Sequence, residues 1–439
     1  MPLDVEKLKH RIDHTRTVKL IGKVTKIIGL LIESRGPASS IGDLCLIHPI
    51  NPREPLVTAE VVGFRDDVIL LMPLGDLAGI GPGSRVEAMK EVFMVPVGDA
   101  LVGRVLNGLG MPIDEQPEPE CKRLYPVQAA PPNPFTRKRI DTPIGTGVRA
   151  IDGLLTWGKG QRVGIFAGSG VGKSTLLGMI AKNSQADINV IALIGERGRE
   201  VREFIERDLG PDGLARSVIV VATSDQPALV RRQGAYVATA IAEYFRDQGK
   251  NVMFMMDSIT RFCMAQREIG LAVGEPPTTK GYTPSVFALL PKLMERTGTG
   301  TGEGSISALY TVLVDGDDIT EPVADASRSI LDGHIMLSRK LASRNHFPAI
   351  DVLGSASRVF GEITSGEHQE LAAKLRNLMA VYGDAEDLIN IGAYSKGTNK
   401  EIDRAVSRMG AINSFLRQAV NESEDFGNIC VLMKQTVGE

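Results

Sequence analysis

The 439-residue sequence predicts an α/β fold, with a core built on a parallel sheet, a small antiparallel β-barrel before it and a helical region after it. Three observations carry this expectation. Six short β-rich runs separated by Gly, Pro and Asp turns fill the chain from Lys19 to about Met89, the pattern of a small all-β unit. From about Ile151, continuous apolar runs alternate with helix-like segments, which places the strands in a parallel sheet covered on both faces. Between the run Arg162 to Phe166 and the helix-like stretch from Ser174 lies the turn Ala167-Gly168-Ser169-Gly170-Val171-Gly172-Lys173-Ser174-Thr175. Its glycines let backbone N–H groups converge on phosphate oxygens, the following helix presents its positive end, and Lys173 adds a cation. The turn reads as a site for a nucleoside triphosphate, with Ser174 placed to ligate magnesium. The strict pattern wants Gly where Ala167 stands, and an ordinary negative φ is tolerated there because the phosphate contacts come later in the loop.

In chain order, residues 1–18 place Leu3, Val5, Leu8 and Ile12 among Lys7, Lys9, Arg11 and Arg16. This basic amphipathic segment is either a solvated helix packed on its own domain or a dock for a partner or membrane surface. The runs Ile21–Ile28, Leu30–Ser34, Leu44–Ile47, Thr58–Phe64, Val68–Met72 and Arg85–Ala88 define a barrel domain over 19–90. Aromatic residues are scarce there, which favours a structural collar over a nucleic-acid platform. Residues 91–360 form the nucleotide-binding domain with its connector. The Pro-rich connector composition, Pro117 to Pro134 above all, argues against a core of its own up to Arg149. The expected strands are Arg162–Phe166, Asn189–Ile194, Val218–Ala222 and Val252–Asp257, with further short elements beyond Ser305–Val314. Helices are expected over Ser174–Gln185, Arg199–Leu209, Pro227–Gln248 and Ser258 to Ile269. Gly270 to Thr283 holds three glycines and two prolines, too broken for a helix. Thr297 to Gly304 reads as a mobile loop. Residues 361–439 are helical, with Glu367–Tyr382 and Lys400–Val420 clearest.

A formal charge of −3 gives no overall attraction to nucleic acid or anionic lipid. Cys45, Cys121, Cys263 and Cys430 lie far apart in sequence and form no metal or redox pair, which favours a reducing, intracellular setting. The N-terminus lacks an apolar signal core, and no apolar run reaches membrane-spanning length. A cytoplasmic protein is expected, touching a membrane only peripherally.

Binding phosphate is not hydrolysing it, so groups that activate water and neutralise charge are needed. Val252 to Asp257 is an apolar run ending in a carboxylate, which suits an acid holding magnesium or its waters at the carboxyl edge of a buried strand. The run Val190 to Ile194 leads into Gly195-Glu196-Arg197. Glu196 is a candidate general base with Arg197 holding it, and a plain surface ion pair between the two is the competing reading.

Together, Gly195-Glu196-Arg197-Gly198-Arg199-Glu200, the phosphate loop and Asp257-Ser258-Ile259-Thr260-Arg261-Phe262 resemble the catalytic head subunits of rotary ATP synthases and of protein-export machines. Long runs, among them Ala222-Thr223-Ser224-Asp225-Gln226-Pro227 and Gly274-Glu275-Pro276-Pro277-Thr278-Thr279-Lys280-Gly281-Tyr282-Thr283-Pro284, most resemble the flagellar type III export ATPases. The resemblance covers nearly the whole chain and is weakest over the first fifteen and last twenty residues. It implies a RecA-like P-loop NTPase core that hydrolyses ATP with Mg2+. It implies nucleotide contacts from Gly168, Ser169, Gly170, Val171, Gly172, Lys173, Ser174 and Thr175, with Phe347 stacked on adenine. It implies Ser174 and Asp257 as magnesium residues, and Lys173, Glu196, Arg197 and Arg358 as catalytic residues, Arg358 being an arginine finger for a neighbour's site. One chain with both Glu196 and Arg358 is expected to form a homohexamer with sites at its interfaces. The family also implies a regulator or stator protein at the N-terminus, a coiled-coil stalk protein at residues 270–283, export chaperones and substrates, and peripheral residence at an inner-membrane export gate. No nucleic acid is expected. The rival readings are the ATPase of a non-flagellar type III secretion system, a rotary ATP synthase catalytic subunit, an RNA-translocating hexamer and a non-enzymatic scaffold.

Overall fold

The structure, a computed structural model, describes residues 19–89, 92–314 and 318–439. The amphipathic segment expected over 1–18 lies outside the described residues. Two compact units are present.

The first unit runs up to Phe93 and takes in Ile269–Glu275. Its strands are β1 (Ile21–Ile28), β2 (Leu31–Arg35), β3 (Leu44–His48), β4 (Val57–Arg65), β5 (Val68–Pro73) and β6 (Arg85–Ala88). They close as an antiparallel barrel in the order β1-β2-β5-β4-β3-β6, with β6 returning to β1. Alternation along each strand turns Val24, Ile32, Ile47, Val61, Leu71 and Val86 inward to form one apolar core. Register shifts between Val24 and Lys26 and between Val61 and Gly63 bend the strands toward closure. Gly22 is dictated by crowding, since a Cβ there would sit 2.0 Å from the Gly36 carbonyl oxygen.

The second unit begins with β7 (Met94–Val97), β8 (Val105–Asn107) and β9 (Arg123–Pro126), of which β7 and β9 pair. Here the connector departs from expectation, because β8 joins the central sheet beside a later strand through Ile219↔Val105 and Val221↔Asn107. Then come β10 (Pro143–Ile144), α1 (Arg149–Leu154), β11 (Trp157–Gly158), β12 (Arg162–Ala167), α2 (Lys173–Asn183) and β13 (Ile188–Ile194). Helix α3 (Gly198–Glu203) widens into a π-helical stretch, Phe204–Leu209, before α4 (Gly210–Leu214), β14 (Ser217–Ala222), α5 (Ala228–Asp247), β15 (Asn251–Asp257) and α6 (Ile259–Val273). The chain continues through α7 (Pro284–Met294), β16 (Gly298–Thr299), β17 (Ser305–Leu313), α8 (Pro322–Ile330), β18 (Gly333–Leu337), α9 (Arg339–Ser343) and β19 (Ile350–Ser357). Helices α10 (Phe360–Ile363), α11 (Gly366–Asn390), α12 (Lys400–Leu416) and α13 (Ile429–Val437) end it.

Nine strands among the described residues form the central sheet, ordered β19-β18-β12-β17-β15-β13-β14-β8, with β16 paired to β17. The expected parallel sheet is present, with two antiparallel additions at β16 and β19. Strands β13 and β14 are buried at every position, as a sheet covered on both faces requires. Helix α6 runs four residues past the expected stop, through Gly270, and ends before Gly274, whose φ of 97° breaks it. The segment from Thr297 is tied down at its start rather than free: Gly298 and Thr299 pair with Ile306 and Ser305, and the Thr299 hydroxyl donates to the Lys138 carbonyl at 2.7 Å.

Helices α11, α12 and α13 share a core with the sheet. Leu371, Leu375, Ile412, Phe415 and Met433 belong to the same apolar cluster as Ile151, Leu154 and Ile165. A buried ion pair fixes the other side, where Arg296 donates to Glu243 of α5 at 2.9 and 2.6 Å and to the Val127 carbonyl at 2.7 Å. Among the described residues no helix is long and apolar enough to cross a membrane.

Candidate active site

Parallel strands bring their carboxyl ends to one edge of a sheet, where ligands of open α/β folds bind. Registers Ala167↔Leu313 and Leu193↔Asp257 align the ends of β12, β13 and β15 in this way. The turn Gly168–Gly172 leaves β12 at that edge and enters α2. Gly170 and Gly172 hold φ of 77° and 88°, the left-handed region that suits glycine. Ala167, the departure from the strict pattern, is buried as the last residue of β12, outside the turn. The first turn of α2 carries Lys173, Ser174 and Thr175. The helix therefore directs its unpaired N–H groups and positive end at the space above the turn.

Lys173 Nζ donates to Asp257 Oδ1 at 2.5 Å and stands 3.7 Å from Glu196 Oε1. The Thr311 hydroxyl of β17 also donates to Asp257 Oδ1, at 2.7 Å, fixing the carboxylate. Gly195, with φ of 72°, makes the turn that swings Glu196 inward, and a Cβ there would crowd Arg261 at 2.7 Å. Two carboxylates thus share one ammonium. Burial, then the charge of Asp257, pushes the Glu196 carboxyl up to about 7, against the pull of Lys173. Burial works against the Lys173 charge, but Asp257 and Glu196 outweigh it and raise its proton affinity.

A recess of about 20 Å3 is lined by Ser174, Glu196, Glu200 and Asp257. A hydroxyl and carboxylates are hard oxygen donors of the kind magnesium takes. Among the described residues no group of three or more His, Cys, Asp or Glu stands ready to hold a metal.

Phe347, 40% exposed, lies over the turn, its ring edge 3.3 Å from where a Gly172 Cβ would be. Arg197 is brought elsewhere: its side chain is 80% exposed and reaches Glu200 at 3.4 Å, not Glu196. Arg358 is remote. The pairs Val163↔Gly333 and Gly333↔Ser357 set it beside the amino end of β12, where its N–H donates to the Asp332 carbonyl at 2.9 Å. The six residues of β12 separate it from the phosphate turn, roughly 17–20 Å at about 3.3 Å per residue. Sequence reading missed Glu200 and Thr311. Glu200 stands four residues from Glu196 and its side chain hydrogen-bonds it. Glu196 precedes the helix that carries Glu200, so no helical spacing pairs them, and Thr311 needs the strand register.

Residues 147–357 match the nucleotide-binding domain of the ATP synthase alpha/beta family, residues 24–90 its beta-barrel domain, and residues 364–435 the C-terminal domain of the type III secretion ATPase EscN. The chain is 60% identical over 411 residues to the flagellum-specific ATP synthase of Bacillus subtilis, covering 94% of each chain. It is 51% identical over 412 residues to the type 3 secretion system ATPase of Xanthomonas euvesicatoria, covering 94% of this chain and 93% of that one. The assembled ATPase EscN of enteropathogenic E. coli superposes with a TM-score of 0.88 at 46% identity, over 95% of this chain and 100% of that one. The chain belongs to the family of flagellum-specific ATP synthases and type III secretion ATPases, an ATPase related to the ATP synthase alpha and beta subunits.

Proposed function

We propose that this chain is the ATPase of a flagellar type III export apparatus, cleaving MgATP where two copies meet in a homohexameric ring. The observation that carries the shared site is the distance between Arg358 and the phosphate turn of its own chain. An arginine side chain does not span it, so a transition-state contact from Arg358 belongs to a neighbouring copy's nucleotide. Within one protomer, Gly168 to Thr175 bind the phosphates and Lys173 neutralises them. Ser174 and Asp257 would hold Mg2+, which would supply positive charge against the negative charge of the phosphates. Glu196 takes the proton of the attacking water, and Arg197 bears on it only through Glu200. Phe347 stacks on the base. A guanidinium on the transferring phosphoryl is worth ~10³–10⁵ in turnover.

The assembled state of EscN, and its structure in complex with a central stalk, EscO, support a ring that meets a stalk at residues 270–283. The N-terminal segment is assigned to a regulator, and the protein to the cytoplasmic face of an export gate, where it handles chaperones and export substrates. Higher identity to the Bacillus subtilis flagellar relative than to the Xanthomonas one favours the flagellar form. A non-flagellar secretion system would use the same chemistry, and restoring motility to a bacterium lacking its own flagellar ATPase separates the two. The shared site is tested by ATPase rate against protein concentration. Specific activity rises with concentration in wild type and is lost in Arg358→Ala; a rate per chain independent of concentration sinks the reading.

A further inference from the structure

A second cavity, of about 420 Å3, lies where α9, the start of β19 and helices α11 and α12 meet, a size that suits a small molecule. Its floor is apolar, built from Leu341, Ile350, Val352, Met379, Met409 and Leu416, and the methionines make that floor adaptable. One polar group is buried in its wall. His346 is 4% exposed, and its Nε2 has no hydrogen-bond partner among the described residues. A buried polar atom left in this way costs stability unless a ligand or water meets it.

Arg417 is exposed beside His346, and after burial it is what lowers the proton affinity of the imidazole. Both effects favour the neutral ring, and the permanent positive charge at this spot is the guanidinium. At the rim, Lys340 and Arg344 share one carboxylate, Glu386, at 2.9 and 2.7 Å. Asp351, the other acid of the lining, accepts from the Gly354 N–H at 3.0 Å. Three cations face two carboxylates, a surplus of one positive charge.

The position of the cavity bears on the nucleotide. His346 precedes Phe347, and the Phe347 carbonyl accepts from the N–H of Gln418, which follows Arg417. Gln418 is 5% exposed and anchored in turn: its side chain donates to the Gly147 carbonyl at 2.7 Å and accepts from the Arg149 N–H at 2.9 Å. His346 and Arg417 of the cavity wall are thus chain neighbours of Phe347, whose ring lies over the phosphate turn, and of Gln418, which holds the Phe347 carbonyl.

We propose that this cavity binds a small amphipathic anion, an apolar body bearing one carboxylate, sulfonate or phosphate, and that its occupation changes nucleotide affinity through Phe347. The second half rests on the assignment of Phe347 to the base; the first does not. The probe is 8-anilinonaphthalene-1-sulfonate, titrated by fluorescence into the full-length chain. One saturable site per chain is expected. It should weaken about fivefold in Arg417→Glu, the worth of an ordinary exposed ion pair, and disappear in Met409→Trp, which fills the floor. Arg417 is at the surface, so its variant keeps the fold even if the tryptophan variant does not. Equal binding by wild type and Arg417→Glu overturns the site. Saturating probe should also shift the Kd of a fluorescent ADP analogue by threefold or more in wild type. An unchanged Kd overturns the coupling. A Phe347→Ala chain with unaltered nucleotide affinity would overturn the base assignment alone, leaving the probe titrations to stand.

Discussion

Two buried charge clusters in the same unit are built on opposite plans. Arg296 and Glu243 meet one to one, bidentate, with a carbonyl taking a further N–H of the guanidinium. At the carboxyl edge of the sheet, Lys173 faces both Asp257 and Glu196, and burial, with the charge of Asp257 added to it, leaves a Glu196 carboxyl that resists ionisation to about 7. The first cluster is complete as folded. The second is poised for added charge, and it lies where the phosphate turn opens. Packing explains the first, and the proposed chemistry accounts for the second.

The contrast is sharpest if one residue of each cluster is neutralised. Glu196→Gln removes the proposed base, and turnover should drop by ~10²–10⁴ with nucleotide binding retained, measured as single-turnover ATP cleavage beside equilibrium binding. Glu243→Ala strands a buried guanidinium and should cost about 3–5 kcal/mol of stability, read from urea unfolding of the whole chain. The same unfolding assay should give Glu196→Gln the opposite sign. Because the folded chain holds the Glu196 proton up to about 7 rather than the usual 4.5, it binds more protons than the unfolded chain in that window. Stability therefore falls as pH rises through it. Glutamine escapes that penalty, so at pH 8 the variant should be more stable than wild type by about 1–3 kcal/mol, with the gain gone at pH 4. Equal stability at both pH values would show that the second cluster is no less settled than the first. Away from both clusters, Phe347→Ala should weaken nucleotide binding by about 1–3 kcal/mol, the worth of one base stack, with little change in kcat. The smallest effect is on pH dependence, where kcat/KM should fall about tenfold per unit below about 7 as Glu196 takes its proton, a limb absent from Glu196→Gln.

How much of this was legible in sequence follows from the range of each signal. The barrel runs and the phosphate turn are local patterns, and the structure places their strands within a residue or so of expectation, from β1 at Ile21–Ile28 to β6 at Arg85–Ala88. Glu196 and Asp257 were readable because apolar strands lead to them. Strand β8, three residues in a Gly- and Pro-rich connector, is too short for periodicity and exists because β14 offers it an edge. The continuation of α6 through Gly270 was hidden by a residue that usually breaks helices and here only weakens one. Arg197 was adjacent in sequence to its supposed partner yet turns to Glu200, since consecutive residues at a helix start point apart. Thr311 and Gln418 owe their roles to contacts over 54 and 71 residues of chain, beyond any spacing rule.

Strand β19 has a consequence for how sites would talk to one another. Phe347 stands three residues before its first residue, over the phosphate turn, and Arg358 directly follows its last, at the far end of the sheet. Both ends of the strand pair with β18, at Ile350 and Asp351 and at Ala356 and Ser357, across a register shift between them. In the proposed ring this one segment would join the residue over one nucleotide to the guanidinium offered next door, so a shift of the segment would be felt at two sites.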